Sequence, residues 1–304
     1  MSTVTDERGE QGARAPQGTE GMSPPSPTGG LVDVFRRRYI LRLLVRREIN
    51  ARYQSSLLGL LWSYVQPLTR FVMYYFVIGI VIGLDRGVEY FGIHMFTGMV
   101  FVHYFTETFT AGTRSIMRNA SIVKKMAMPR EMFPVASMLV SAYHVIPQLV
   151  ILLIACVAVG WSPDVVGMLA GLLGFAIVAV LATALALLFS AANVFARDFS
   201  NIVQTLTNFV HLSVPMIYPY TFVASRFGAD NVGFYLANPL AEVVLLVQRC
   251  FWVGVTSDPE LTALTNMPDD LFTRGLIMLG ISLVFLLVAQ LVFTKLERKF
   301  PERL

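Results

Sequence analysis

The residues best suited to chemistry in this sequence are polar side chains at helical spacing inside apolar segments. One set follows steps of three and four residues: Asn201, Gln204, Asn208, His211 and Pro215. Residues at these steps share one face of a helix, and such a face is costly in contact with lipid. It therefore either forms hydrogen bonds between helices or lines a water-filled path, and both interpretations stay open.

Three other apolar segments carry similar faces. These are Ser137, Ser141, His144 and Gln148; Gln66, Arg70 and Tyr74; and the pair His103 and Glu107. For the last pair, a structural role stays open beside a transport role. Aromatic side chains are abundant near these faces, and rings beside amides and hydroxyls suit a sugar chain, whose C–H faces stack on rings. The pattern favours a neutral, hydroxyl-rich solute over an ion.

Signatures of catalysis or metal binding are missing from the sequence. The histidines at 94, 103, 144 and 211 lack metal-ligand spacing, and the two cysteines lie in apolar surroundings. Glycine is never followed by lysine, which excludes a P-loop for nucleotide binding. We therefore expect no metal and no cofactor on this chain, and active transport would take its energy from a partner or an ion gradient.

The composition indicates the kind of element that must hold these residues. Of 304 residues, 55% are hydrophobic and 14% are charged, against about 25% charged in soluble domains. The mean hydropathy is +0.61. These values exclude a soluble enzyme, a disordered chain and a disulfide-rich scaffold, and they predict a membrane protein with several spans.

Six segments are apolar over the ~20 residues that a spanning helix needs. They are 57–84, 90–109, 133–159, 165–194, 202–222 and 271–293. A seventh, 234–255, opens on Asn238-Pro239 and carries Glu242 and Arg249, which are costly at mid-depth. We interpret it as part of a re-entrant hairpin over about 225–257.

The distribution of positive charge predicts the orientation. With six spans, 19 of the 24 lysines and arginines fall on the side that carries both termini, and four fall on the other side. This is the bias expected of cytoplasmic loops. The predicted fold is therefore an all-α integral membrane protein of the plasma membrane, with six transmembrane helices, cytoplasmic termini and an outer hairpin between spans five and six.

The segment before the first span is basic and amphipathic. Its apolar positions lean to one side of a helix, at Val34, Leu41, Leu44, Val45 and Ile49. Arg37, Arg38 and Arg42 blur the pattern. We predict an interface helix over 31–56, with a purely topogenic basic flank as the alternative. Residues 1–30 are predicted to be a disordered cytoplasmic tail, 57–294 the membrane domain and 295–304 a basic tail.

The stretch REINARYQSSLLGLLWSYVQP at 47–67 resembles the approach to the first span in ABC-2-type polysaccharide exporter permeases. Further similar stretches are NASIVKKMAMPREMFP at 119–134, Arg197-Asp198, Asn238-Pro239-Leu240 with Arg249, and FTKLERKF at 293–300. They occur in order over about 31–304. Within the family, which includes O-antigen and teichoic-acid exporters, the chain is most similar to the mycobacterial-type exporter of lipid-linked galactan.

The resemblance implies a homodimer that exports a lipid-linked polysaccharide, driven by two separate ATP-binding subunits that hold the ATP and magnesium. It implies no nucleic-acid partner. It also implies a channel at the dimer interface. From the polar faces and the aromatic residues beside them, we expect this channel to be lined by Tyr74, Tyr104, Phe105, Tyr143, His144, Gln204, Asn208, His211 and Tyr218. The implied gate-helix contacts to a lipid headgroup or pyrophosphate are Arg46, Arg47 and Arg52. Arg70, within the first span, departs from the family pattern; a contact to the pyrophosphate and a position near the cytoplasmic mouth both stay open for it. The implied coupling loop, about 114–132, acts through Asn119, Ile122, Lys124, Lys125, Met128, Pro129 and Arg130.

Two other functions stay open at this stage. One is export of drugs or small lipids by the same superfamily. The other is an integral membrane glycosyltransferase, whose acidic groups would be Glu89, Asp230, Asp269 and Asp270.

Overall fold

The computed structural model describes residues 30–53, 61–126 and 128–304. Of the predicted tail at 1–30, residues 1–29 lie outside the described residues, and Gly30 is the first residue of a helix. Residues 54–60, where the predicted interface helix was expected to give way to the first span, also lie outside the described residues. Every regular element in the described part of the chain is helical. The helices are α1 (Gly30–Arg36), α2 (Arg38–Tyr53), α3 (Trp62–Tyr74), α4 (Phe91–Arg118), α5 (Ala120–Lys125), α6 (Met132–Ala158), α7 (Val165–Phe195), α8 (Phe199–Val210), α9 (Tyr220–Leu236), α10 (Pro239–Phe251), α11 (Pro259–Asn266), α12 (Leu271–Glu297) and α13 (Phe300–Arg303). A π-helical segment, Tyr75–Val81, continues α3.

Four helices are long and apolar enough to cross a membrane: Tyr64–Val81, Met132–Ala158, Val165–Phe195 and Leu271–Glu297. They coincide with the predicted first, third, fourth and sixth spans. Helix α4 occupies the predicted second span and continues to Arg118. Its His103 and Glu107 make it more polar than those four, although it is long enough to span a bilayer.

The prediction of one continuous helix over 202–222 is wrong. Helix α8 ends at Val210 and α9 begins at Tyr220. The intervening segment contains Pro215 and Pro219, and proline both lacks a backbone N–H and clashes with the preceding turn of a helix. The count of six spans stays a prediction.

Helix α10, in the predicted hairpin, is buried within the bundle. Residues 240–248 and Cys250 are buried, and α10 packs against α4, α7 and α12. Gly171 of α7 permits this approach, since a Cβ there would lie 2.7 Å from the Sγ atom of Cys250. The side chain of Glu242 is thereby enclosed by protein, which is the condition that a polar group within a bilayer must meet.

The segment predicted to be an interface helix forms α1 and α2, and its apolar side is docked on the bundle. Val34, Leu41 and Leu44 are buried with Phe293 and Phe300 in a cluster separate from the main core. Burial of these side chains fixes α1 and α2 to the bundle. Helix α2 is thereby placed so that its remaining faces border two cavities.

Candidate functional site

A polar cavity of about 810 Å³ lies among α2, α3, α4, α6 and α8. Its lining combines arginines, two glutamates, a histidine pair, hydroxyls and amides. The lining side chains are Arg47, Glu48, Ala51, Arg52, Arg70, His103, Thr106, Glu107, Thr110, Ala111, Arg114, Arg118, Asn119, Ser137, Val140, Ser141, Gln204, Thr207, Asn208 and His211. Such a lining inside an apolar bundle marks a functional site.

Glu107 joins three helices at this cavity. Its Oε1 atom accepts a hydrogen bond from Arg52 of α2 and lies 2.8 Å from the Nδ1 atom of His144 on α6. Its Oε2 atom lies 3.4 Å from the Nε2 atom of His103, one turn earlier on α4. The spacing of His103 and Glu107 predicted only the pair within α4. Arg52 and His144 are 55 and 37 residues away in the chain, so no local pattern could have found this cluster.

A second cluster ties α2 to the end of α4. Arg118 Nη2 donates to Glu48 Oε2 at 2.7 Å, and Asn119 Nδ2 donates to Glu48 Oε1 at 3.1 Å. Arg47 Nη2 in turn donates to Asn119 Oδ1 at 2.7 Å. The buried carboxylate of Glu48 on α2 therefore connects this helix to Asn119, one of the expected coupling residues. Sequence reasoning missed Glu48 and Arg118, because their pairing spans 70 residues.

The cavity is electropositive, with five arginines against two glutamates. Each glutamate is already paired, Glu48 with Arg118 and Glu107 with Arg52. Within the described residues, Arg47, Arg70 and Arg114 have no carboxylate within 4.0 Å. Three guanidinium groups thus face the cavity without a counter-charge from the part of the chain that the structure describes. Guanidinium groups are well suited to bidentate recognition of phosphate oxygens.

The residues expected to line the substrate channel are divided among several places. Gln204, Asn208 and His211 line the polar cavity with Arg70, and His144 adjoins it through Glu107. The aromatic members lie elsewhere.

Tyr104 and Tyr143 border a separate apolar groove between α2 and α6. Phe105 is buried in the main core, and Tyr74 packs against that core. Tyr218 lines an aromatic pocket of about 460 Å³, where its hydroxyl lies 3.2 Å from that of Tyr235. The aromatic rings and the α8 amides therefore do not share one wall within a single chain.

The expected gate-helix arginines also separate. Arg47, Arg52 and Arg70 line the polar cavity, whereas Arg46 is exposed on α2 and borders none of the cavities described here.

The expected coupling residues form an exposed helix on a buried base. Lys124 and Lys125 are exposed at the end of α5, and Ile122 is half-buried. Met128, Pro129 and Arg130 are buried beneath them. The guanidinium of Arg130 donates to the backbone carbonyl of Glu297 and lies 5.6 Å from the centre of the Phe300 ring. This base joins the loop to the C-terminal end of α12.

The hairpin residues hold α10 in position. Asn238 caps α10 by accepting from the Leu240 N–H at 3.0 Å, and Pro239 occupies the first turn. Arg249 donates twice to Asp164, at 2.9 and 2.7 Å, and so joins α10 to the start of α7. This hydrogen bonding lowers the pKa of Asp164. Glu242 is fully buried, and neither of its oxygens has a hydrogen-bond partner in the described part of the chain.

Comparison with known proteins identifies the family of this helical bundle. The chain is 24% identical over 267 residues to the O-antigen export system permease protein RfbA of Klebsiella pneumoniae, covering 86% of this chain and 94% of the relative. It is also 24% identical over 275 residues to the protein of that name from Myxococcus xanthus, covering 89% and 97%. Residues 39–242 match the family described as ABC-2 type transporter, and this match covers nearly all of α2, the polar cavity and α8. The chain belongs to the ABC-2 type transporter family.

Proposed function

We propose that this chain is the transmembrane subunit of an ABC transporter that exports a lipid-linked cell-envelope polysaccharide from the cytoplasm across the plasma membrane. Two copies, each with six spans, would form the channel, and two separate ATP-binding subunits would drive it. The observation that carries the proposal is the polar cavity, with its three uncompensated guanidinium groups beside the amides of α8. The O-antigen export permeases with which the chain aligns over most of its length support the same class of cargo.

The cavity has the chemistry to receive the anionic end of a lipid-linked sugar. A pyrophosphate linker presents several charged oxygens, and Arg47, Arg70 and Arg114 supply matching donors. Hydrogen bonds to charged groups contribute about 1.5–3 kcal/mol each. The side-chain amides of Gln204 and Asn208 line the same cavity. They are neutral donors and acceptors, and they suit the hydroxyl groups of the first sugars.

The aromatic pocket at α9 offers a second place for sugar contact. Rings of Phe222 and Phe227 border it together with the hydroxyls of Tyr218 and Tyr235. Phe222 and Phe227 are 43% and 52% exposed. The Arg226 guanidinium lies over the Phe222 ring, 5.5 Å from its centre, so the Phe227 ring and the second face of Phe222 are the surfaces that we propose for stacking. A polymer passing both sites would meet a charged site for its linker and an aromatic site for its sugars.

We propose galactan as the polysaccharide, because the sequence is most similar to the mycobacterial-type exporter of lipid-linked galactan. The decisive experiment reconstitutes the chain with its ATP-binding subunits in proteoliposomes and measures ATP-driven translocation of lipid-linked galactan. Lipid-linked O-antigen and a set of small hydrophobic drugs serve as competing cargoes. Transport of drugs without transport of any polymer would refute the proposal, and so would sugar transfer by the purified chain alone.

The anion role is tested by neutralising a single guanidinium. We expect Arg70→Gln to lower translocation at least tenfold, because it removes a donor to the linker without altering the core. Arg36→Gln is the matched control, since Arg36 is exposed on α1 and borders none of the three cavities. Equal activity of the two variants would exclude the cavity as the linker site.

The polar wall and the coupling loop are tested separately. Asn208→Leu or His211→Leu should lower export without lowering membrane abundance, whereas equal loss of both would mean that this wall is structural. The double variant Lys124→Glu with Lys125→Glu should keep ATP hydrolysis but uncouple it from export, because both side chains are exposed where a partner would dock.

A further inference from the structure

A second groove lies along α2, bordered by residues other than those that line the polar cavity. It has a volume of about 780 Å³ and runs between α2 and α6. Its apolar walls are Leu41, Val45, Ile49, Leu139, Ala142, Val145, Ile146 and Leu149. Four aromatic side chains also line it: Tyr39, Tyr143, and the rings of Tyr104 and Phe175, which stack at 5.8 Å. The volume falls within the ~300–1,000 Å³ that is usual for small-molecule sites.

Two arginines border this apolar groove. Arg38 and Arg42 lie one turn apart on α2, and both are exposed. Within the described residues, neither guanidinium has a hydrogen bond or an ion pair. Both arginines are among the residues that interrupt the amphipathic pattern of the segment before the first span. Arg47 and Arg52 line the polar cavity instead, so α2 presents two separate sets of cations.

We propose that this groove binds an anionic membrane phospholipid. The phosphate would lie against Arg38 and Arg42, and an acyl chain would occupy the slot between α2 and α6. A phospholipid offers both a negative headgroup and a long apolar chain, which is the combination that the groove presents. The inference does not depend on the proposed transport role.

Bound lipid would brace the interface helix against α6. Glu107 and Glu48 hold α2 on its polar side, and the lipid would fill the gap along the groove. Occupancy would therefore restrict the movement of α2 relative to the bundle, whichever cargo the protein carries.

The test uses the purified full-length chain in detergent, with phosphatidylglycerol added and bound lipid counted by native mass spectrometry. We expect Arg38→Gln with Arg42→Gln to weaken binding about thirtyfold, at ~1 kcal/mol for each basic side chain and 1.4 kcal/mol for each tenfold change. Binding of zwitterionic phosphatidylcholine should change much less. Arg36→Gln with Arg298→Gln removes the same charge from exposed sites outside the groove, and it should keep phosphatidylglycerol bound.

A second variant tests the apolar slot. Ala142→Phe should fill the slot and displace phosphatidylglycerol while leaving the elution volume unchanged. Three results would each overturn the proposal. The first is unchanged binding in both groove variants, and the second is an equal loss in the control. The third is displacement of phosphatidylglycerol by a polyprenyl diphosphate at equal concentration, which would assign the groove to the carrier lipid of the substrate.

Discussion

The contact between Arg52 and Glu107 predicts a measurable energetic coupling between the interface helix and α4. The Glu107 side chain is 9% exposed, whereas that of Arg52 is 53% exposed. Removing one partner of a fully buried pair costs about 3–5 kcal/mol, but exposed pairs contribute only about 0.2–1 kcal/mol. The half-exposed guanidinium places the Arg52–Glu107 interaction near the upper end of the exposed range, at about 1 kcal/mol.

Glu107→Gln should cost more than Arg52→Gln. The glutamine loses the negative charge that faces Arg52, His103 and His144, and it keeps one acceptor oxygen in place of two. The side chain of His144 is only 3% exposed, so water does not readily replace the lost interaction. We expect about 2 kcal/mol for Glu107→Gln and about 1 kcal/mol for Arg52→Gln. The double variant should cost about 2 kcal/mol, because the second change removes an interaction that is already lost.

The assay is a double-mutant cycle on the full-length chain, with the free energy of unfolding taken from denaturant titration in mixed micelles. Arg36→Gln combined with Glu107→Gln is the control cycle and should be additive, since Arg36 is exposed on α1. Glu48 and the buried Leu44 still hold α2, so the variants should remain folded. Additive costs in the Arg52 cycle would refute the assignment of Glu107 as a junction between helices.

Three further predictions concern packing and charge. Gly171→Ala should destabilise the protein by about 1–3 kcal/mol, because the added Cβ would lie 2.7 Å from a sulfur atom on α10. Gly280→Ala is the control and should be neutral or stabilising, because the added Cβ would have no packing neighbour within 4 Å among the described residues. Equal melting temperatures for the two variants would contradict the close packing at Gly171. Glu242→Met should keep or raise the melting temperature, because a buried carboxyl group with no hydrogen-bond partner among the described residues is replaced by an apolar chain of similar length. A fall of several degrees would reveal a partner. Arg249 lowers the pKa of Asp164 in the folded state. The pair therefore stabilises the fold above the ordinary aspartate pKa near 4, and this stability is lost as the pH falls through the lowered pKa. Asp164→Asn should reduce the acid-side fall in the free energy of unfolding by less than about 1 kcal/mol, because the side chain is half-exposed, and an unchanged acid profile would contradict the pairing.

Much of the helical layout could be predicted from the sequence because it depends on local chemistry. The apolar lengths at 133–159, 165–194 and 271–293 predicted α6, α7 and α12 to within a few residues at each end. The helical period likewise placed Gln204, Asn208 and His211 together, and all three line one cavity. Pro215 and Pro219 are a sequence signal for the break between α8 and α9. The apolar segment 202–222 includes both prolines, so hydropathy alone predicted one continuous helix.

The tertiary structure alone decided which charges meet and which side chains share a cavity. Glu107 finds Arg52 and Glu48 finds Arg118 across 55 and 70 residues, and no periodic pattern encodes such a pairing. The aromatic residues look alike in sequence, yet Phe105 enters the core and Tyr218 lines a separate pocket. Spacing fixes the face that a residue occupies on its own helix, but the partner opposite that face depends on how distant helices pack.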